Sequence, residues 1–123
     1  MPKHILVVED TPALRTNIVE LLRMENYSVS YANHGKEGLA RLEETNTDLI
    51  ITDLMMPEMN GFDFIARLRE NPQWQQIPIL VFTAMPAHEN EEKVLRMGAN
   101  SYLKKPSTLE DLLESVKKLI ENA

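Results

Sequence analysis

Six residues of chemically useful type lie directly behind short apolar runs. Glu9 and Asp10 follow Ile5-Leu6-Val7-Val8, Asp53 follows Leu49-Ile50-Ile51 and Thr52, and Thr83 ends Ile77-Pro78-Ile79-Leu80-Val81-Phe82. Lys104 and Lys105 close a weaker segment that begins at Ser101. In open parallel sheets, ligands bind beyond the carboxyl ends of the strands, so residues at these positions meet at one edge. Three carboxylates brought together repel and raise one another's pKa unless a cation neutralises them. With only oxygen ligands on offer, that cation is hard and divalent, Mg²⁺ ahead of Mn²⁺ or Ca²⁺. An Asp between Ile51-Thr52 and Leu54-Met55 is costly to bury without a partner, and a lysine can pair with it at rest or with an incoming anion. The set suits phosphoryl transfer: Asp53 as nucleophile, Lys105 and the Thr83 hydroxyl on the remaining oxygens, and a small Ala84 leaving its backbone N-H open.

The elements that must position these residues are legible. The three strong runs lack the alternation of a half-exposed strand and read as strands covered on both faces, with weaker strands at Ser28 to Ala32 and Ser101 to Lys104. Helical patterns lie between them. The first begins with Asp10-Thr11 as capping candidates and Pro12 in its first turn, and carries a stripe of Leu14, Ile18, Leu21, Leu22 and Met24. The second runs from about Gly35 to Glu44 with Leu39 and Leu42 inward. The third follows Gly61, with Phe62, Ile65 and Leu68 inward, and ends near Asn71-Pro72. The fourth, Ala87 to Met97, offers only Val94, Leu95 and Met97, and stops at Gly98 as a C-terminal cap. The fifth opens with Ser107-Thr108-Leu109-Glu110, which has the S-x-x-E form of a capping box, and continues through Leu112, Leu113, Val116 and Ile120 at helical spacing. Strict β-α alternation with connections of this length predicts a three-layer α/β sandwich with a parallel sheet, as a single domain over residues 1–123.

Composition narrows the alternatives. The 123 residues contain no cysteine, which excludes thiolate metal sites and thiol nucleophiles. Thirteen basic residues against nineteen acidic ones, a net charge of −6, argue against direct nucleic-acid binding. No apolar run approaches the ~20 residues that span a bilayer, so no membrane partner and a cytoplasmic location are expected. His4, His34 and His88 have no ligand spacing and read as surface or structural residues. Met55, Met56 and Met59 read as loop packing, Trp74 as packing its loop over the third helix, and Lys104, Glu89, Glu91 and Glu92 as solvated charges.

Along essentially its whole length the sequence resembles the receiver domain of two-component response regulators. The resemblance rests on Glu9-Asp10, Asp53, the following Met56-Pro57-Glu58-Met59-Asn60-Gly61, Thr83-Ala84 and Lys105-Pro106, taken in order. It implies the flavodoxin-like, CheY-like doubly wound fold, with five parallel strands in the order 2-1-3-4-5. It also implies Asp53 as phosphoacceptor, with Asp10, Asp53 and the Met55 carbonyl as Mg²⁺ ligands and Glu9 acting directly or through water. Thr83, Lys105 and the backbone of Met55 and Ala84 would hold the phosphoryl group. Thr83 and Tyr102 would form a switch, and the Lys105-Pro106 peptide would be cis. Asn60 stands where many relatives carry Asp, and Met85-Pro86 should stiffen the approach to the fourth helix.

The expected function is a phosphorelay switch, not an enzyme beyond catalysing its own phosphorylation and dephosphorylation. A histidine kinase or histidine phosphotransfer protein would donate the phosphoryl group. An unidentified downstream protein would read the face formed by the fourth helix, fifth strand and fifth helix, no output domain being expected. The rivals are a phosphohydrolase of the haloacid dehalogenase type, disfavoured because Val8-Glu9-Asp10-Thr11-Pro12 supplies no D-x-D motif, and a constitutive binding scaffold. A receiver excised from a longer regulator is a further alternative.

Overall fold

β-Branched and leucine side chains without alternation make strands that can be buried on both faces, and three strands here are of that kind. They are β1 (His4–Val8), β3 (Leu49–Thr52) and β4 (Ile79–Thr83), in which every residue except His4 is buried. The computed structural model describes residues 2–121. With β2 (Ser28–Ala32) and β5 (Ser101–Lys104) at the edges, the strands form one parallel sheet in the order β2-β1-β3-β4-β5. The edge strands are the less buried ones, with Ser28 and Tyr31 of β2 and Lys104 of β5 exposed.

Five helices cross over between the strands: α1 (Pro12–Met24), α2 (Gly35–Glu44), α3 (Gly61–Glu70), α4 (Ala87–Met97) and α5 (Leu109–Glu121). Because successive strand side chains point to opposite faces, the sheet divides its core in two. Leu6, Val8, Ile50, Ile79 and Val81 pack with Phe64, Ile65 and Leu68 of α3, Leu42 of α2 and Val94 of α4. Ile5, Val7, Leu49, Ile51, Leu80 and Phe82 pack with Ile18 and Leu22 of α1 and Leu112 and Val116 of α5. The architecture is the expected three-layer, doubly wound sandwich.

Several local expectations are corrected. Strand β4 starts at Ile79 instead of Ile77. Pro78 has no N-H to give the ladder, although its carbonyl accepts from Ile50. Met24 is 79% exposed in the last turn of α1, and Leu109 is exposed at the start of α5, so both stripes are shorter than their sequence pattern. On α3, Phe64 is fully buried together with Ile65 and Leu68, whereas Phe62 is only half-buried. Thr11 occupies the N-cap position of α1 without a side-chain cap bond. At α5 the capping residue is Thr108, whose hydroxyl accepts from Asp111 N at 3.0 Å, while the Ser107 hydroxyl donates to the Lys104 carbonyl.

His4 and His34 are structural. His34 caps α2 by accepting from Glu37 N at 3.2 Å. The His4 ring contacts the Ser28 and Ser30 hydroxyls at 2.8 Å each, where burial lowers its pKa against the opposing charge of Asp48. Asn60 caps α3 by accepting from Asp63 N at 2.9 Å, a task its amide oxygen performs as well as a carboxylate would.

Helix α4 is lightly held at its start: only Asn90 and Val94 are buried, and its first turn has no side-chain cap. Its other end is tied down. The Arg69 guanidinium donates to the Gly98 carbonyl at 2.7 and 3.0 Å, to the Trp74 and Gln75 carbonyls, and to the Asn100 side chain. Trp74 packs against the core on the side of α3, as expected.

Candidate functional site

The sheet's hydrogen-bond ladder runs one residue beyond three of its strands, and that extension assembles the site. Glu9 N donates to the Ala32 carbonyl at 3.0 Å, Asp53 N to Val8 at 3.2 Å, and Lys105 N to Thr83 at 2.7 Å. Glu9, Asp53, Thr83 and Lys105 are thereby fixed by backbone bonds at one edge, which is why residues scattered over the chain become neighbours.

Glu9 is buried to 2% exposure and Asp53 to 7%. Carboxylates so far from water must be fully paired. The Lys105 ammonium provides the counter-charge, lying 2.8 Å from Glu9 Oε1 and 2.8 Å from Asp53 Oδ2. The other oxygens are also used: Asp53 Oδ1 accepts from Leu54 N at 2.6 Å and Met55 N at 3.2 Å, and Glu9 Oε2 accepts from Thr11 N at 3.1 Å. Burial pushes the Lys105 pKa down, but the bonds to Asp53 and Glu9 and their charges outweigh it and hold the group above its ordinary 10.5. Stabilisation of the charged form by opposite charges explains that direction.

Asp10 completes the cluster from an exposed position, and a carboxylate oxygen from each of Glu9, Asp10 and Asp53 lies within 4.8 Å of the others. Three carboxylates against one ammonium leave an excess of negative charge that a divalent ion offsets, and an all-oxygen donor set with one solvent-facing member fits Mg²⁺. Asp10 and Met55 line one groove of about 470 Å³ with Leu54, Met56, Asn60, Phe62 and Met85. Met55 is 62% exposed on its rim, so the expectation of loop packing fails for Met55 and holds for buried Met59 and half-buried Met56.

Gly61 sets how closely α3 approaches this turn. Its N-H donates to the Leu54 carbonyl at 2.9 Å, and a Cβ there would overlap the Asp53 carbonyl oxygen and lie 2.6 Å from Leu54 Cα. Any larger residue would displace the backbone that carries Asp53.

Thr83 and Tyr102 converge on one residue. Thr83 Oγ1 accepts from Met85 N at 3.3 Å, and the Tyr102 hydroxyl donates to the Met85 carbonyl at 2.6 Å. Burial first, then the charges of Glu91 and Asp53, raise the Tyr102 pKa. Ala84 is exposed beside Thr83, and the Lys105-Pro106 peptide is cis. Sequence reasoning missed Arg15, which reaches back to the Glu9 carbonyl at 2.9 Å. No periodicity signals a side-chain bond to backbone of that kind.

The fold and site together define an α/β domain with a doubly wound sheet, an acidic pocket at the carboxyl ends of β1 and β3, and a lysine from the end of β5. Residues 5–117 match the response regulator receiver domain, and the chain belongs to that family. It is 40% identical over 102 residues to an uncharacterized 14.6 kDa protein of Leptolyngbya boryana, covering 83% of this chain and 78% of that one. Several further relatives are longer, and the chain spans from 7% to 54% of their length. Among solved structures it resembles the chemotaxis protein CheY4 of Vibrio cholerae, with a TM-score of 0.91, 31% identity, and coverage of 97% of this chain and 99% of that one. It also resembles the receiver domain of the sensor histidine kinase PA1611 from Pseudomonas aeruginosa, with a TM-score of 0.87, 28% identity, and coverage of 98% and 99%. That structure holds a magnesium ion coordinated in its active site cleft. Among the described residues, no helix is long and apolar enough to cross a membrane.

Proposed function

We propose that the chain is a phosphorylation-dependent signalling switch that accepts a phosphoryl group on Asp53 from a histidine kinase or histidine phosphotransfer protein. The observation that supports this most is the environment of Asp53: a buried carboxylate paired with Lys105 and two backbone amides, next to two further carboxylates. A purely structural ion pair gains nothing from surplus charge of one sign beside it.

In this reading an Asp53 oxygen attacks phosphorus, the donor's P-N bond breaks, and its electron pair leaves with the imidazole. Glu9, Asp10, Asp53 and the Met55 carbonyl would hold Mg²⁺, which when bound neutralises charge on the transferred oxygens. Lys105 exchanges its carboxylate contact for a phosphoryl oxygen, and the Thr83 hydroxyl and the Ala84 N-H take others. When Thr83 turns toward the phosphoryl group, its bond to Met85 N is given up, and Tyr102 registers the change at the same residue's carbonyl. Phosphorylation then favours one of two pre-existing arrangements of the α4-β5-α5 face, to which a downstream protein binds.

Incubation with labelled acetyl phosphate and Mg²⁺ is expected to label the chain once per molecule, with slow hydrolytic loss and no labelling when chelator is present. Sustained turnover of a phosphate ester such as p-nitrophenyl phosphate would overturn the switch reading in favour of a phosphohydrolase.

A further inference from the structure

Asp10 differs from its two acidic neighbours in how it is held. Glu9 and Asp53 are fixed by Lys105 and by backbone amides, whereas Asp10 is exposed and, among the described residues, its side chain makes no hydrogen bond or ion pair. Its direction therefore depends on the backbone on either side of it. The Thr11 side is held by the first backbone bond of α1, and the Glu9 side by the Arg15 side chain. The Arg15 guanidinium donates from Nη1 to the Glu9 carbonyl at 2.9 Å, and the Arg15 backbone N-H donates to the Thr11 carbonyl at 2.9 Å.

The guanidinium is itself held in place. Nη1 also donates to Asn33 Oδ1 at 2.6 Å, and the guanidinium lies over the Tyr31 ring at 5.6 Å. Asn33 is fixed in turn by its N-H and amide, which donate to the Glu37 carboxylate at 3.2 to 3.4 Å. No carboxylate lies within ion-pair distance of Arg15 among the described residues, so its firmest anchors are the carbonyl at the root of the acidic turn and the Asn33 amide. A planar guanidinium that bridges a carbonyl and an amide oxygen fixes the orientation of a turn in a way that a point charge on a flexible stem does not.

We infer that Arg15 is a positioning residue for the metal site: it locks the Glu9–Thr11 turn so that the Asp10 carboxylate faces Glu9 and Asp53. The inference rests on the metal-binding reading given above. Its sign separates it from plain electrostatics. Removing a cation near an acidic cluster strengthens divalent-ion binding if charge alone matters, and weakens it if positioning matters.

The test is titration of wild type, Arg15→Met and Arg15→Lys with Mn²⁺ followed by electron paramagnetic resonance, alongside thermal melts and amide exchange of the metal-free proteins. Arg15→Met is expected to raise the dissociation constant on the order of tenfold, the usual cost of losing a group that orients a metal ligand. Arg15→Lys should fall between Met and wild type, and the Thr11 amide should exchange faster in the metal-free Met variant. An unchanged or tighter dissociation constant in Arg15→Met overturns the inference, even if that variant melts lower. Should Arg15→Met not fold, Asn33→Ala, which removes only the second anchor, is expected to weaken binding by a smaller factor, and equal binding overturns the inference there. Absence of Mn²⁺ binding by wild type would overturn the metal-site reading itself and the inference with it.

Discussion

Asp53→Asn is expected to reduce phosphoryl labelling from acetyl phosphate and Mg²⁺ to background while leaving the fold intact. Asn Oδ1 can keep the bonds to Leu54 N and Met55 N that Asp53 Oδ1 makes, so the turn after β3 has no reason to rearrange. What is lost is the charge of the proposed nucleophile. A neutral amide attacks phosphorus poorly, and one of the three charges that attract a divalent ion disappears with it. The amide also turns an N-H₂ toward Lys105 Nζ, donor against donor, leaving Glu9 as the sole partner of that ammonium. Intact-mass spectrometry or a phosphate-affinity gel reads the outcome directly, and labelling at the wild-type level would remove Asp53 from the chemistry.

Lys105→Met should cost about 3–5 kcal/mol of stability in metal-free buffer, the usual penalty for stripping one partner from a buried ion pair. Few single changes in a domain of ordinary stability are larger. Methionine matches the reach of the lysine stem but leaves Glu9 and Asp53 facing each other, with side chains 3% and 8% exposed. Millimolar Mg²⁺ should restore much of the loss, because a divalent ion replaces the missing charge, and it should stabilise the variant more than the wild type. Urea unfolding with and without Mg²⁺ measures both quantities, and a loss indifferent to Mg²⁺ would contradict the counter-ion role. With the ammonium seated between two of the acidic groups, metal affinity is expected to rise when it is removed.

The same pairing fixes a dependence on pH. The Lys105 pKa is raised on folding above its ordinary 10.5. Its stabilisation is therefore fully present below the ordinary value and is lost as pH rises through the higher folded one. Alkaline destabilisation of the wild type that Lys105→Met does not share is the corresponding signature.

The strands that carry the site were legible because burial on both faces writes itself as uninterrupted apolar sequence. Ile5 to Val8, Leu49 to Ile51 and Ile77 to Phe82 carry that pattern, the last starting two residues before the strand does. The residues just beyond them were legible for a related reason: charged groups that interrupt such runs have to be paired or used. What stayed hidden has no local signature. Met24 continues the apolar stripe of α1 but is its last residue and stays exposed. Thr108 takes the cap of α5 because Ser107 is spent on the Lys104 carbonyl, a choice between adjacent hydroxyls that spacing does not decide. Arg15 and Arg69 carry no signal in the sequence, yet each closes a polar gap between segments distant in sequence. Trp74 packs as expected, but it precedes β4 and so lies a strand's length from the acidic pocket. Its fluorescence is therefore a poor sensor of that pocket.

The unequal fastening of the two ends of α4 turns that helix into a lever. Arg69 makes the Gly98 end a fulcrum, while the Pro86 end, without a side-chain cap and next to Met85, where Thr83 and Tyr102 meet, is the free arm. The helix keeps its internal hydrogen bonds as it tilts, so a small rotation about the fulcrum is amplified along three turns toward the free end and hardly moves the pinned one. Amide exchange should therefore fall steadily from Glu89 toward Met97, and a uniform profile along α4 would show that the helix slides as a whole. Residues early in α4, not those near its C-terminus, are then the ones expected to be displaced most.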